Sequence, residues 1–153
     1  MKIVVQKDDL SDGSISALLE SHLKEMYQHS PPESVHALKP NSLKDSTITF
    51  WAARINGVIA GCGALKEIST SLGEIKSMKT NQLFLRKGVA RAILEEILQE
   101  AKLRNYNEVK LETGSSEPFT PAVALYRQYG FKPCSSFSNY KEDPHSLFFT
   151  KTI

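Results

Sequence analysis

The chain has 153 residues, enough for one domain with a substantial core and too few for two comfortable ones. Its 41% hydrophobic and 24% charged residues are typical of an ordinary globular protein. A net charge of +2 is too small to indicate nucleic acid as a partner. No apolar run approaches the ~20 residues that span a bilayer, and the N-terminus lacks the pattern of a signal peptide. We therefore expect no membrane partner and a cytoplasmic location.

The first part of the chain predicts a strand and then a long helix. Apolar β-branched residues indicate a strand over residues 2–6, and the polar residues that follow supply a helix N-cap. Helical spacing of apolar residues extends over 15–28. Pro31 and Pro32 end that helix, because proline cannot continue it. A short second helix is predicted from Glu33 or Ser34 to residue 38, and a further helical turn at 41–44.

Three strands follow, over residues 47–55, 58–67 and 72–80. Asn56-Gly57 separates the first two, and this pair between apolar runs is the strongest short hairpin signal. The strands should form an antiparallel meander. Cys62 lies between two glycines of the middle strand, where a small buried thiol is the expected role.

The last part of the chain alternates helices and strands. A long amphipathic helix begins near Gly88 and leads to a strand over 108–112. A helix over 121–129 ends at Gly130, and short strands follow over 131–134 and 147–152, joined by a long irregular segment at 135–146. The whole pattern predicts an α+β fold with one mixed sheet and helices on its faces.

The start of the long helix has the properties of a phosphate site. The first N–H groups of a helix have no internal partner, and the helix dipole is positive there. Gly88 lets a ligand approach that backbone, and Arg86, Lys87 and Arg91 add positive charge. Taken alone, the same stretch also fits a solvated loop that leads into a core-packing helix.

Metal chemistry is not indicated. The two cysteines, Cys62 and Cys134, lack CxxC spacing, and the four histidines show no HxxH or HExxH pattern. We therefore expect neither a zinc site nor a disulfide framework.

Three segments, in their order along the chain, resemble the GNAT superfamily of N-acetyltransferases. Glu-Ile-Lys-Ser-Met-Lys-Thr at 74–80 is similar to the family's strand beside the pantetheine arm of acetyl-CoA. Leu-Arg-Lys-Gly-Val-Ala at 85–90 is similar to its pyrophosphate-binding pattern, Gln/Arg-x-x-Gly-x-Gly/Ala. Leu-Tyr-Arg-Gln-Tyr-Gly-Phe at 125–131 is similar to its Leu-Tyr-x-x-x-Gly-Phe segment. The resemblance covers nearly the whole chain in the order of its elements.

The sequence also departs from the family pattern at three places. Leu85 occupies a position that is usually Gln or Arg, Ala90 is an accepted small variant, and Thr120 and its neighbours replace a frequent Asn. Because the family's phosphate cradle is made of backbone amides, acetyl-CoA is still the implied co-substrate, and no metal is implied.

The resemblance implies a fold as well as an activity. It implies one N-acetyltransferase domain over residues 1–153, with a mostly antiparallel mixed sheet of about six or seven strands between about four helices. The sheet should splay between its fourth and fifth strands.

The resemblance also implies roles for named residues. Tyr126 is the expected acid for the departing CoA thiolate, and Glu74 is a candidate base for the incoming ammonium. The expected cofactor-binding residues are Met78, Lys79, Thr80, Arg86, Lys87, Gly88, Val89, Ala90 and Arg91.

The implied acceptor is a primary amine of a small molecule or peptide. The residues expected to line its site are Glu33, His36 and Glu67, together with segment 135–146. A homodimer is common in the family, although no feature of this sequence demonstrates one.

Two other classes of protein are alternatives to an enzyme. A non-catalytic acetyl-CoA-binding or sensor module would keep the cradle and lack the acid, whereas Tyr126 is present. A nucleotide-binding protein of another fold would need a strand, a Gly-rich turn, a helix and an acidic ribose partner. The stretch at 83–90 lacks that context.

Overall fold

A computed structural model describes residues 1–35 and 45–153 of the chain. The elements are, in order, β1 (Ile3–Asp8), α1 (Ser14–His29), β2 (Ile48–Ile55), β3 (Val58–Glu67), β4 (Leu72–Thr80), α2 (Val89–Leu103), β5 (Glu108–Gly114), α3 (Thr120–Gln128), β6 (Lys132–Pro133) and β7 (Ser146–Thr152).

The strands form one seven-stranded sheet in the order β1-β2-β3-β4-β5-β7-β6. The β4–β5 pair is parallel, and every other neighbouring pair is antiparallel. The predicted meander of β2, β3 and β4 is therefore confirmed. Asn56 and Gly57 form its first turn with φ of +51° and +79°, as a two-residue type I′ hairpin requires.

The helices cover both faces of the sheet, because the side chains of each strand alternate between two cores. Phe50 and Ala52 of β2 pack with Ile15 of α1 in a smaller core. The intervening Trp51 belongs to the larger core, with Ile93 of α2. This arrangement gives the predicted α+β fold in three layers, with α1 on one face and α2 and α3 on the other.

The described residues contain three α-helices, whereas about four were predicted. The predicted second helix is replaced at its start by a single 3₁₀ turn at Pro32–Ser34, after which Val35 is extended. Pro31 and Pro32 supply no N–H groups to a longer helix. The rest of that prediction and the turn expected at 41–44 lie outside the described residues. None of the helices in the described part is long and apolar enough to span a bilayer.

Strand pairing extends two elements beyond their predicted ends. β1 continues to Asp8 because Lys7 and Asp8 pair with β2, and β5 continues to Gly114 through its pairing with β7. β6 is instead shorter than predicted, because the N–H of Phe131 bonds to the carbonyl of Tyr126 at the end of α3.

Cys62 lies in the smaller core as expected, and burial raises the pKa of its thiol to about 12.

Candidate active site

The sheet opens between β4 and β5. Their parallel pairing ends at Ile75 and Leu111, and beyond this point β4 follows β3 while β5 follows β7. A bulge bends β4 at the same place, because its register against β3 shifts between Cys62 and Ala64. Ser77 of the bulge has a φ of +58°. The second half of β4 therefore faces the opening with backbone groups that no strand of the described chain pairs on that side.

The N-terminus of α2 lies at the mouth of this opening. Gly88 is its N-cap, with a left-handed φ of +85° and no side-chain capping hydrogen bond. The first helical bond runs from the N–H of Ala92 to the carbonyl of Gly88 at 3.0 Å. The N–H groups of Val89, Ala90 and Arg91 thus precede the helical ladder and lack acceptors within it. Together with the helix dipole they form a site for an anion.

Close packing fixes α2 against the sheet. A Cβ on Gly63 of β3 would lie 2.7 Å from Cγ2 of Ile93 and 2.5 Å from Sδ of Met78. Only a residue without a side chain allows this approach. The start of α2 and the bulged half of β4 are consequently held side by side.

The opening is a cavity of about 710 Å³ between α1, β4, β5, α2 and α3. Most of the residues predicted from the sequence line it: Glu74, Met78, Lys79, Thr80, Arg86, Gly88, Val89, Ala90, Arg91 and Tyr126. Lys87 is exposed beside the cavity and is not part of its lining.

Two of the three residues predicted for the acceptor site lie away from the cavity, and the third, His36, lies outside the described residues. Glu33 is exposed in the 3₁₀ turn after α1. Glu67 lies at the end of β3, where it accepts a hydrogen bond of 2.7 Å from the hydroxyl of Tyr106. Neither residue contributes to the cavity lining. The sequence alone could not predict on which side of the molecule the ends of this turn and this strand lie.

Tyr126 of α3 lies at the floor of the opening with only 6% of its surface exposed. Its ring packs edge-on against Phe131, with centroids 5.7 Å apart. No described residue forms a hydrogen bond with its hydroxyl. Burial raises the pKa of this phenol above its usual value, and the carboxylate of Glu112 adds to the rise. The hydroxyl therefore stays protonated at neutral pH.

Glu74 is held in a network with two residues that the sequence did not single out. Its side chain is buried, and its Oε2 accepts hydrogen bonds from the hydroxyl of Tyr140 at 2.5 Å and from Nζ of Lys76 at 3.3 Å. Nζ of Lys76 also donates to the oxygen of Tyr140 at 2.8 Å. Tyr140 belongs to segment 135–146, so this irregular segment reaches the cavity.

Replacing Tyr140 with Phe should destabilise the protein. The change removes one of the two hydrogen bonds that the buried Glu74 carboxylate accepts, and a buried acceptor left short of a partner costs about 1–3 kcal/mol. Denaturant unfolding should show this loss at neutral pH. Tyr27→Phe is a matched control, because Tyr27 is exposed on α1. An unfolding free energy equal to that of the wild type would show that the network contributes nothing to stability.

One face of α1 forms the wall opposite α2. His22, Met26 and His29 follow helical spacing and line the cavity. Glu25 joins this wall to the sheet, because its carboxylate accepts hydrogen bonds from Nζ of Lys79 and, at 3.0 Å, from Nε2 of Gln82. Burial, together with the nearby Lys79 ammonium, lowers the pKa of His22 to about 4. His22 is therefore neutral at physiological pH. Of these residues, the sequence analysis had placed only Met26 in the apolar helical spacing and had assigned no role to His22 or His29.

Glu112 of β5 is a further cavity residue that the sequence analysis missed. Burial raises the pKa of its carboxyl group to about 7, and the neighbouring carboxylates of Glu74 and Asp143 add to the rise while Lys76 opposes it. A glutamate with this pKa exchanges protons near neutral pH. The only sequence signal was its place at the predicted end of the fifth strand.

Comparisons with known proteins agree with this architecture. A profile of the acetyltransferase (GNAT) family matches residues 15–131. The uncharacterized N-acetyltransferase YsnE of Bacillus subtilis is 48% identical over 149 residues, which are 97% of this chain and 99% of that protein. The uncharacterized N-acetyltransferase YedL of Escherichia coli is 43% identical over 97% of this chain and 94% of its own length. An IAA acetyltransferase of Azospirillum brasilense is 31% identical, over 98% and 97%.

Solved structures share the fold at low sequence identity. A Klebsiella pneumoniae protein superposes with a TM-score of 0.79 at 24% identity, covering 98% of this chain and 97% of that one. A GNAT family acetyltransferase from Elizabethkingia anophelis, crystallised with acetyl-CoA bound, gives a TM-score of 0.67 at 19% identity, covering 99% and 98%.

A mixed sheet parted between two parallel strands, with an uncapped helix N-terminus at the opening, is the architecture of an acyltransferase that uses acetyl-CoA. The family profile and the near full-length relatives then make the assignment specific. The chain belongs to the acetyltransferase (GNAT) family and is an N-acetyltransferase. Within residues 1–35 and 45–153, no three His, Cys, Asp or Glu side chains are grouped as metal ligands.

Proposed function

We propose that residues 1–153 form one catalytic domain that transfers the acetyl group of acetyl-CoA to a primary amine of a small molecule or peptide. The amine attacks the thioester directly, with no acetylated enzyme in between. The observation that carries this proposal is one cavity that brings together the N-terminus of α2, the unpaired half of β4 and the hydroxyl of Tyr126.

The N-terminus of α2 is proposed to hold the pyrophosphate of acetyl-CoA. The free N–H groups at its first turn, starting after Gly88, offer several donors to one anion. Arg86 and Arg91 line the same mouth and add formal charge. Leu85 also lines the mouth, with 54% of its surface exposed, where the family usually has a polar residue. Backbone amides should therefore supply most of the recognition here.

The second half of β4 is proposed to bind the pantetheine arm. Lys79 and Thr80 pair with β3 on one side only, and Met78 lies in the bulge beside them, so the opposite side of this half-strand offers amide donors and acceptors to an extended ligand. One of these N–H groups would polarise the acetyl carbonyl and stabilise the negative charge that develops on its oxygen.

Tyr126 is proposed to protonate the sulfur of the departing CoA. Thiolate formation in a poorly solvated cavity is unfavourable, and a donated proton removes that cost. The support is that Tyr126, with only 6% of its surface exposed, lines the cavity and that its hydroxyl forms no hydrogen bond with any described residue.

The charges of the remaining cavity favour a cationic or polar acceptor. The carboxylate of Glu25 is paired with Lys79, and that of Glu74 with Lys76. Glu112 is the further carboxyl group on the lining and has no ion pair among the described residues. An acceptor ammonium would balance that charge.

Calorimetric titration and a thiol-release assay test the proposed function. We expect acetyl-CoA and CoA to bind and ATP to bind much more weakly, because ATP lacks the pantetheine arm. Acetyl-CoA should then release free thiol in the presence of an acceptor from a panel of amino acids, polyamines and peptides with free N-termini. Binding without release across the panel would favour a non-catalytic acetyl-CoA-binding module, and equal binding of ATP would contradict the pantetheine site.

A further inference from the structure

The side chains of β5 alternate between the two faces of the sheet. Val109 and Leu111 lie in the larger core, on the face that α2 and α3 cover. Glu112 and Gly114 therefore lie on the opposite face, toward α1. Both residues line the cavity, so they belong to the part of it that α1 bounds.

A phenylalanine ring covers Gly114 on this face. Phe119 ends the 3₁₀ turn Glu117–Phe119, which joins β5 to α3. A Cβ on Gly114 would lie 2.6 Å from Cζ of Phe119 and closer still to two other ring carbons, so only glycine lets the ring lie against the strand. Phe119 is half-buried and lines the cavity. Because residues two apart on a strand are about 7 Å apart, the ring borders the space beside the carboxyl group of Glu112.

The last turn of α1 bounds the same space from the other side. The carbonyl of His29 accepts a hydrogen bond of 3.3 Å from Oγ of Ser116, which directly precedes the 3₁₀ turn. Met26, about one helical turn earlier, is 8% exposed and lines the cavity. Methionine side chains adapt their shape to apolar ligands. The end of α1 therefore supplies an apolar wall to the space that Phe119 borders.

Further aromatic rings lie on the other side of Glu112. Phe148 of β7 is the cross-strand partner of Glu112, and paired residues share a face of the sheet. The ring of Tyr140 packs against Phe148, with centroids 5.7 Å apart, and lines the cavity. The hydroxyl of Tyr140 is bonded to Glu74, where β4 and β5 are still paired, whereas Phe119 lies beyond the last residue of β5. Along this face, Glu112 thus lies between two aromatic rings.

The charges of this space suit one ammonium group and not two. Of the three carboxylates on the described lining, Glu25 and Glu74 are paired with lysines, Lys79 and Lys76. Glu112 has no ion pair among the described residues, so it is able to balance one ammonium. A second ammonium on the same ligand would lie against apolar walls, where an unpaired charge is unfavourable.

We propose that the acceptor is a monoamine whose primary ammonium group lies at Glu112 and whose aromatic or branched apolar group packs against Phe119. This inference rests on the proposed function and names the class of acceptor. Phe119 is then a residue that determines specificity, because an apolar group is recognised there by the area it removes from water and by contact with the ring. Gly114 sets the depth of the pocket, since it allows the ring to lie against the strand.

Four simple amines test this class on the wild-type protein. Phenethylamine and isopentylamine carry an aromatic and a branched apolar group, ethylamine carries neither, and putrescine carries a second ammonium. At saturating acetyl-CoA, we expect kcat/KM for phenethylamine or isopentylamine to exceed that for ethylamine by about tenfold or more, since even one methylene in an apolar pocket is worth about 10- to 200-fold. Putrescine should be no better than ethylamine. Release of free thiol measures all four rates.

Two variants test the pocket itself. We expect Phe119→Ala to lower kcat/KM for the better apolar amine by about tenfold or more and to change that for ethylamine by less than about threefold. Gly114→Ala must move the ring off the strand toward α1, which narrows the pocket, so it should lower the same ratio while Phe119 is retained. The ratio of two acceptors measured on one preparation does not depend on the folded fraction, so a loss of stability cannot imitate this effect.

Phe84→Ala is the matched control. Phe84 also ends a 3₁₀ turn and is half-buried, but it packs against the larger core and does not line the cavity. This variant should keep the wild-type ratio of acceptors. Calorimetry on the CoA-saturated protein should show the same pattern without turnover, with weaker phenethylamine binding in Phe119→Ala and wild-type binding in Phe84→Ala.

The outcomes distinguish this inference from the function on which it depends. Wild-type protein that transfers acetyl groups to no amine, whether monoamine, polyamine, amino acid or peptide, would overturn the proposed function. An active wild type that uses ethylamine or putrescine as well as it uses the apolar amines would overturn the acceptor class alone. A Phe119→Ala variant that keeps the wild-type ratio would remove Phe119 from acceptor recognition.

Discussion

Tyr126→Phe is expected to lower kcat by about 10²- to 10⁴-fold, the usual range for loss of a general acid. The acetyl-CoA dissociation constant should stay within about twofold, because phenylalanine keeps the ring that packs against Phe131. The phenol hydroxyl has no hydrogen-bond partner among the described residues, so its removal leaves no buried group unsatisfied. Stopped-flow detection of free thiol measures kcat, and calorimetry measures binding.

The matched control for this prediction is Tyr106→Phe. Tyr106 is also buried in the larger core, with 3% exposed, but its hydroxyl donates to Glu67 and not to the cavity. This variant should lose about 1 kcal/mol of stability and retain its kcat. A Tyr126→Phe enzyme with wild-type kcat would leave the thiolate to be protonated by water, and α3 would then serve only as a wall of the cavity.

Local sequence patterns predicted the parts of the fold that depend on near neighbours. β3 and β4 have their predicted bounds, because Asn56-Gly57 fixes the register of the hairpin and apolar runs define the strands. The start of α2 at Val89 follows from Gly88 and the apolar spacing after it. These signals lie within a few residues of the feature they specify.

The part of the cavity proposed to take the acceptor depends on contacts between distant residues. Tyr140 reaches Glu74 across 66 positions, and Ser34 donates a hydrogen bond to Asp143 across 109. No spacing within a single segment encodes such pairs. The carboxyl group of Glu112 becomes distinctive only after burial raises its pKa to about 7. The part of the cavity proposed to bind the cofactor was therefore easier to locate from the sequence than the part proposed to bind the acceptor, since local backbone motifs form the first and contacts between distant residues form the second.

The charged side chains divide the cavity into the same two parts, a positive mouth and a negative inner end. Its mouth carries Arg86 and Arg91 beside the positive end of α2, and its inner part carries Glu74 and Glu112. A polyanionic ligand is favoured at the mouth and a cationic one at the inner end. The acetyl group would then lie between these two regions, at the level of the β4 bulge.

Gly88→Ala should weaken acetyl-CoA binding by about tenfold or more, which corresponds to about 1.4 kcal/mol. Two effects act together. Alanine at a φ of +85° is strained by about 1 kcal/mol, and the added methyl group stands where a phosphate must approach the first N–H groups of α2. Apart from the adjoining residues, no atom of the described chain lies within 4 Å of a Cβ at this position, so the variant should fold and the loss should be specific to the ligand.

Gly13→Ala separates the two effects. Gly13 is also the N-cap of a long helix, with a left-handed φ of +78°. Apart from the adjoining residues, no described atom lies within 4 Å of an added Cβ there, but Gly13 does not line the cavity. Both variants should lose similar unfolding free energy, whereas calorimetry should detect weaker acetyl-CoA binding only for Gly88→Ala. Equal affinities in the two variants would mean that the pyrophosphate is bound by the arginine side chains at the mouth, and that the α2 amides are not the cradle.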